Sequence, residues 1–148
     1  MTKFEVIQIL SGTVGSFGFS ILFNIRGRRL PVAVIGGFLS RSLYVLFDHL
    51  GIGEVLNYFL VATLISAYSE IMARVVKCPT TTFIMSSLIP LIPGASLYYT
   101  MRYAFEGISR TFFDKALYTL ELAAALALGV IIASAVSKII FKLRATRH

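Results

Sequence analysis

The sequence predicts an all-α, polytopic integral membrane protein with about five transmembrane helices, the fourth of them broken at Pro90 and Pro93-Gly94. Hydrophobic residues make up 57% of the 148 residues and charged residues 14%. In soluble domains, about a quarter of all residues are charged. Apolar runs of the roughly 20 residues that a bilayer requires recur along nearly the whole chain. They leave no room for a soluble domain, so residues 1–148 are expected to form a single transmembrane domain.

The first three spans follow from hydropathy and from the residues at their ends. The first covers about 4–23 and carries small residues four apart, a spacing that permits close approach of a second helix. The second covers about 30–47 and has Pro31 in its first turn, where a missing N–H is harmless. The third covers about 55–76 and closes with Arg74. Each span is expected to be a continuous helix.

The fourth span, about 80–101, is the broken one. Proline lacks a backbone donor, clashes with the preceding turn and biases the residue before it away from the helix. Two half-helices are therefore expected to meet near the membrane midplane. A polar connector follows, with the charged residues Arg102, Glu106, Arg110, Asp114 and Lys115. The last span is predicted at about 116–141.

The basic residues predict the orientation. With five crossings and the amino terminus outside, nine basic residues fall on the cytoplasmic side and four on the other, as the positive-inside rule favours. The carboxyl terminus is then cytoplasmic. If residues 80–101 formed a re-entrant hairpin instead, the count would be eight to five. Charge alone leaves both topologies open.

The broken segment is also the candidate substrate site. Free N–H groups around Gly94, Ala95 and Ser96, at the start of the second half-helix, would point into the membrane centre, where the positive end of the helix dipole suits a carboxylate. Discontinuous helices serve this purpose in transporters. A proline-kinked structural helix explains the same residues, and Tyr98 fits either the substrate path or an interfacial aromatic belt. The candidate substrate-binding residues are Thr81, Thr82, Ser86, Ser87, Pro90, Pro93, Gly94, Ala95, Ser96 and Tyr98.

Four ionisable residues within the spans are candidates for coupling or gating, because charge inside a membrane is costly. Glu70 and Arg74 are four residues apart on one helix, so they predict either a proton-coupling carboxylate or a local ion pair. Arg41 and Glu121 both fall in the outer third of their spans. An interhelical pair would satisfy both, while Arg41 could instead extend to the interface by itself.

Several function classes find no support in the sequence. The net charge of +7 comes from clusters at span ends without interleaved aromatic residues, so no nucleic acid is expected as a partner. Cys78 is the only cysteine and the two histidines lack metal-ligand spacing, so no metal site is predicted. Without a nucleotide-binding loop or a nucleophile triad, neither a cofactor nor an enzymatic activity is expected.

Part of the sequence resembles the threonine/serine exporter family, in the small subunit that corresponds to the C-terminal half of the fused exporters. The matching segments are 70–74 (EIMAR), 77–83 (KCPTTTF), 89–94 (IPLIPG) and 97–101 (LYYTM). The chain departs from the family pattern at Ser86-Ser87, where proline-glycine or small apolar residues are more usual.

The resemblance implies a subunit of a secondary exporter in the cytoplasmic (inner) membrane, driven by a proton or ion gradient. Its cargo would be threonine and serine or succinate-like dicarboxylates. Its partners would be the lipid bilayer, the small-molecule substrate, and a second membrane subunit like the N-terminal half of the fused exporters or further copies of itself. The alternative is a non-transporting scaffold or assembly subunit for a partner membrane protein.

Overall fold

The computed structural model describes residues 3–145, most of which are helical and none of which lie in a β-strand. The helices are α1 (Lys3–Leu22), α2 (Arg29–His49), α3 (Glu54–Val75), α4 (Thr81–Leu88), a short 3-10 turn (Ile89–Leu91), α5 (Gly94–Phe105) and α6 (Ser109–Ala145). Four of them are long and apolar enough to cross a membrane, and the bent pair formed by α4 with the 3-10 turn and α5 gives a fifth candidate. The predicted all-α polytopic architecture is confirmed.

The last helix begins earlier than the sequence predicted. Gly107 has a φ of 71°, a left-handed conformation that lets the chain reverse tightly between α5 and α6. Helical hydrogen bonding resumes at once, since the Phe112 N–H donates to the Ile108 carbonyl at 3.0 Å. Arg110, Asp114 and Lys115 therefore lie within α6. The prediction of a polar connector through Lys115 was wrong, because charged residues continue a helix readily where they reach water.

The broken segment bends where the prolines predict. Pro90 lies in the 3-10 turn, Pro93 directly precedes α5, and Gly94 is the first residue of α5. The two halves differ in direction by 62°. The position of the predicted break is confirmed.

Helices α3 and α6 run in the same direction. Near the start of α3, the Tyr118 hydroxyl of α6 donates to the Glu54 carboxylate. Near the end of α3, the Ser137 hydroxyl of α6 lies 3.4 Å from Oε2 of Glu70. Residues 76–108 must therefore carry the chain back from the last turn of α3 to the side where α3 begins. Five crossings require this arrangement, whereas a re-entrant hairpin would leave α6 antiparallel to α3.

The bundle thus has two ends, here called the Glu54 end and the Arg74 end. The larger apolar core lies between them and is built on α3, with Leu91, Leu122 and Ala125 packed against that helix. A second apolar cluster near the Arg74 end brings Ile25, Ala33, Ala73 and Phe83 together. The loop between α1 and α2, which carries Arg26, Arg28 and Arg29, therefore lies at the same end as the last turn of α3.

Small residues let the helices approach closely. A Cβ at Gly37 of α2 would collide with Ser16 of α1, and one at Gly36 would collide with Ser87 of α4. A Cβ at Gly129 of α6 would lie 2.7 Å from the Phe59 carbonyl oxygen of α3. Close packing of this kind is one of the forces that hold helices together in a membrane, where the hydrophobic effect contributes little between them.

Candidate functional site

A cavity of about 540 Å³ lies between the break and the Glu54 end of the bundle. Five helices and the 3-10 turn contribute to it: Gln8 and Ser11 from α1, Arg41 and Tyr44 from α2, Glu54 and Tyr58 from α3, Leu122 from α6, and residues 89, 90 and 92–96 from the broken segment. The cavity is therefore the place where the interrupted backbone meets charged and polar side chains of other helices.

The backbone at the break leaves two amides without a partner. The Gly94 N–H donates to the Ile92 carbonyl at 2.7 Å, and the Leu97 N–H donates to the Pro93 carbonyl at 3.0 Å. Between them, the N–H groups of Ala95 and Ser96 have no acceptor in the part of the chain that the structure describes. The first turn of any helix leaves such donors, and the helix dipole adds positive potential there. Of the three amides expected to be free, the one at Gly94 is engaged, and those at Ala95 and Ser96 are available.

The side chain of Ser96 holds α5 against α6. Its Oγ lies 2.7 Å from Oγ1 of Thr119, which in turn lies 3.0 Å from Oγ1 of Thr100. The Thr100 hydroxyl also donates to the Ser96 carbonyl at 2.9 Å. The position of the free amides therefore depends on a cluster of three hydroxyls between the two helices.

Two opposite charges line the cavity without forming an ion pair. The Arg41 guanidinium carbon lies 4.8 Å from the centre of the Tyr44 ring, a cation–π distance. The hydroxyl of the same ring lies 3.4 Å from Oε1 of Glu54. Tyr118 donates to the other oxygen of Glu54. No salt bridge joins Arg41 to Glu54 among the residues that the structure describes, so the Tyr44 ring separates the two charges.

The structure brings together one part of the predicted substrate-binding set. Pro90, Pro93, Gly94, Ala95 and Ser96 all line the cavity. Arg41, which the sequence marked as a candidate for coupling, lines it as well. These residues form one continuous surface from the 3-10 turn to the first turn of α5.

The other predicted substrate-binding residues lie elsewhere. Thr81 and Thr82 line a separate groove of about 200 Å³ beside Ile25. Tyr98 is exposed on α5, on a surface that does not line the cavity. Ser86 and Ser87, expected to contribute hydroxyls to a polar cavity, are fully buried between helices.

The burial of Ser86 and Ser87 has a clear cause in packing. The Ser86 carbonyl accepts a hydrogen bond of 2.7 Å from Ser16 of α1, while its hydroxyl bonds back to carbonyls of its own helix. Ser87 lies where α4 approaches Gly36 of α2 most closely. Both serines therefore serve as small residues that let α4 pack against α1 and α2.

Glu70 and Arg74 form a closed pair at the Arg74 end. Oε2 of Glu70 lies 3.1 Å from Nη1 of Arg74. The same Arg74 nitrogen lies 3.1 Å from Oγ of Ser137, so α6 contacts both residues. Only 6% of the Glu70 surface is exposed. The local ion pair expected from the four-residue spacing is present, and neither residue lines the cavity at the break.

Arg41 and Glu121 are not brought together. Glu121 is exposed and lines an apolar groove between α3 and α6, with Val55 and Leu128. It directly precedes Leu122, which faces the cavity. Because successive residues of a helix are about 100° apart, Glu121 points away from the cavity that holds Arg41.

Sequence reasoning missed five polar residues of the cavity: Gln8, Ser11, Tyr44, Glu54 and Tyr58. A signal for two of them was present, since Gln8 and Ser11 are three residues apart and so share a face of an otherwise apolar helix with Gly12 and Gly15. In the sequence, Glu54 is explained fully as an acidic residue in the first turn of a helix, where the dipole favours it. Its position in the cavity could therefore not be predicted from its neighbours along the chain.

A bundle of apolar helices around a discontinuous one, with a polar cavity at the break, is the architecture of a membrane transporter. The chain belongs to the threonine/serine exporter family: the family model described as "Threonine/Serine exporter, ThrE" matches residues 8–136. This confirms the resemblance seen in the sequence. The family is one of exporters and not of enzymes. No solved structure matches the chain.

Proposed function

We propose that this chain is a membrane subunit of a secondary exporter that moves small carboxylate-bearing metabolites out of the cell. Threonine, serine and succinate-like dicarboxylates are the candidate substrates. The observation that carries the proposal is the cavity at the break, which is lined by Arg41 and by Ala95 and Ser96, the two residues with free amides.

These groups suit a carboxylate. A guanidinium can donate two parallel hydrogen bonds to a carboxylate, and charge-assisted bonds of this kind are roughly twice as strong as neutral ones. The two amides add donors on the positive end of the α5 dipole. The cavity volume of about 540 Å³ is ample for a metabolite of a few carbon atoms. A change in the bend between α4 and α5 would open the site to either side in turn.

Glu70 is the proposed proton carrier, and Arg74 is its ion-pair partner. Its burial against Arg74 and Ser137 supports the proposal, because a nearly enclosed carboxylate in a membrane helix is costly and commonly functional. Protonation of Glu70 would release Arg74 and loosen the contact between α3 and α6, which is how proton movement would reach the cavity.

In the proposed arrangement, the protein lies in the cytoplasmic membrane with its amino terminus outside and its carboxyl terminus inside. The basic loop after α1 and the basic end of α3 share the Arg74 end of the bundle, as the positive-inside rule favours for the cytoplasmic side. The cavity then lies on the outer side of the break. A second membrane subunit, or further copies of this chain, would complete the exporter, as the resemblance to split exporters indicates.

The test is efflux of labelled threonine, serine and succinate from cells that express the chain with and without a candidate partner subunit. Arg41→Gln should lower efflux of the exported solute about tenfold or more, the effect of losing a charged hydrogen bond. Arg41→Lys should retain part of it, because it keeps the charge but loses the bidentate geometry.

Arg102→Gln is the matched control. Arg102 is an exposed arginine whose guanidinium pairs with Glu106 at 2.7 Å, outside the cavity. Its loss should leave efflux unchanged. Full efflux from Arg41→Gln would overturn the cavity as the site. A well-inserted wild-type chain that exports none of the three solutes, with or without its partner, would favour the scaffold function instead.

A further inference from the structure

We propose that Glu54 is the specificity-determining residue of the cavity, and that it selects a solute with an ammonium group beside its carboxylate over a dicarboxylate. This inference rests on the proposed export function. It starts from the separation of the two charges. Arg41 and Glu54 line the same cavity, with Arg41 over the face of the Tyr44 ring and Glu54 at the hydroxyl of that ring.

The arrangement is unusual because opposite charges in a membrane protein normally pair with each other. Here the contacts of Tyr44 keep the charges apart. Its ring faces the Arg41 guanidinium, its edge meets the Tyr58 ring at a centroid distance of 5.3 Å, and its carbonyl accepts a bond of 3.0 Å from Asn57. Arg41 and Glu54 are therefore held as two separate binding groups.

Glu54 is held in place and still able to accept hydrogen bonds. It is in the first turn of α3, where the helix dipole favours the negative charge. Tyr44 donates to one of its oxygens and Tyr118 to the other. A carboxylate has about four lone-pair sites, so each oxygen retains room for another donor. An ammonium group, which has three donors and no acceptor, fits that capacity.

An α-amino acid places a carboxylate and an ammonium on adjacent atoms. With its carboxylate on Arg41 and on the amides at Ala95 and Ser96, its ammonium would point towards Glu54. If a dicarboxylate placed one carboxylate on the same donors, its second carboxylate would lie towards the negative charge of Glu54, and the repulsion would disfavour binding. The cavity therefore selects its solute by the charge of the group that faces Glu54, accepting a positive group and disfavouring a negative one.

The experiment compares labelled threonine and labelled succinate as competing substrates in the same expressing cells, with the intact chain and its partner. Glu54→Gln keeps the shape but removes the charge; its amide oxygen can accept from one tyrosine and its NH2 group can donate to the hydroxyl of the other. Threonine efflux should fall about tenfold or more, and the ratio of succinate to threonine efflux should rise by a similar factor. Glu54→Asp, which keeps the charge, should retain the preference for threonine.

Two further variants separate selectivity from a structural role. Arg102→Gln changes an exposed residue outside the cavity, so it should leave the substrate ratio unchanged. Arg41→Gln should lower efflux of both solutes together. If Glu54→Gln lowered both equally, the selectivity would be overturned while the export function stood. If the wild-type chain exported neither solute, the proposed function itself would fail and the inference with it.

Discussion

The two ends of the bundle treat similar charges in opposite ways. At the Arg74 end, Glu70 and Arg74 are four residues apart on one helix and pair at 3.1 Å, with Ser137 closing the group. At the Glu54 end, Arg41 and Glu54 belong to different helices and face a common cavity without pairing. The first pair satisfies itself. The second leaves both charges available to a ligand.

Burial explains the difference. Glu70 is almost enclosed, and a buried carboxylate without a partner would be strongly destabilising, so Arg74 has to accompany it. Glu54 is exposed at the start of its helix, where no buried charge has to be offset by an ion pair. One end of the molecule can therefore hold charge for structure or coupling, and the other can hold it for recognition.

Filling the cavity should have the largest effect. A Cβ at Gly94 would meet open space, so Gly94→Leu should insert and fold normally while its side chain occupies the site. Efflux should fall about tenfold or more, as expected when a bulky group excludes a small ligand. Gly18→Leu is the control, because Gly18 also has open space around its Cβ and does not line the cavity. Unimpaired efflux in Gly94→Leu would place the site elsewhere.

Changing the closed pair should have an intermediate and asymmetric effect. Arg74→Gln leaves the buried Glu70 without its cation, whereas Glu70→Gln leaves Arg74, whose side chain is 37% exposed and can turn to water. Arg74→Gln should therefore lower the free energy of unfolding in detergent by about 1–3 kcal/mol, and Glu70→Gln by only about 0–1 kcal/mol, as measured by thermal unfolding.

The same pair tests the coupling. If Glu70 carries the proton, Glu70→Gln should abolish the dependence of efflux on the pH gradient, while exchange of labelled for unlabelled solute continues. The paired measurement is efflux with and without an imposed gradient in cells that express equal amounts of each variant. A Glu70→Gln chain with an intact gradient dependence would leave the pair a purely structural element.

Loosening the wall of the cavity should have the smallest effect. Thr119→Val keeps the shape but removes the hydroxyl that bonds Ser96 and Thr100. Interhelical hydrogen bonds in membranes average about 0.6 kcal/mol, so efflux should fall only about two- to threefold. Thr13→Val is the control, since the Thr13 hydroxyl bonds the Ile9 carbonyl of its own helix. Equal effects of the two variants would argue against a role of the hydroxyl cluster in positioning α5.

The sequence was sufficient for features that depend on neighbours along the chain. Hydropathy located the spans within about two residues for α1 to α3, because an apolar stretch of bilayer length has few alternatives to a helix. The prolines located the break, and the four-residue spacing located the pair of Glu70 and Arg74. These are local rules, and they hold whichever helices pack together.

Features that depend on how helices face each other were not predictable in the same way. The cavity joins Gln8, Arg41 and Glu54 from separate helices, and their rotation is fixed by contacts such as Gly37 against Ser16. Ser86 and Ser87 were assigned to a cavity for their hydroxyls, but the fold uses their small size. The chemistry of each side chain could be taken from the sequence, but the direction in which the side chain points could not.

The parallel pairing of α3 with α6 also constrains how the protein is made. Ser137 meets Glu70 across 67 residues of sequence, which a ribosome takes about 3–13 s to add at roughly 5–20 residues per second. During that interval α3 lies in the membrane before Ser137 is available, and Glu70 is paired with Arg74 of the same helix. Chain synthesis thus leaves a waiting stage between insertion of the third span and arrival of the last, and this is the stage at which membrane chaperones or quality-control proteases would meet an unfinished bundle.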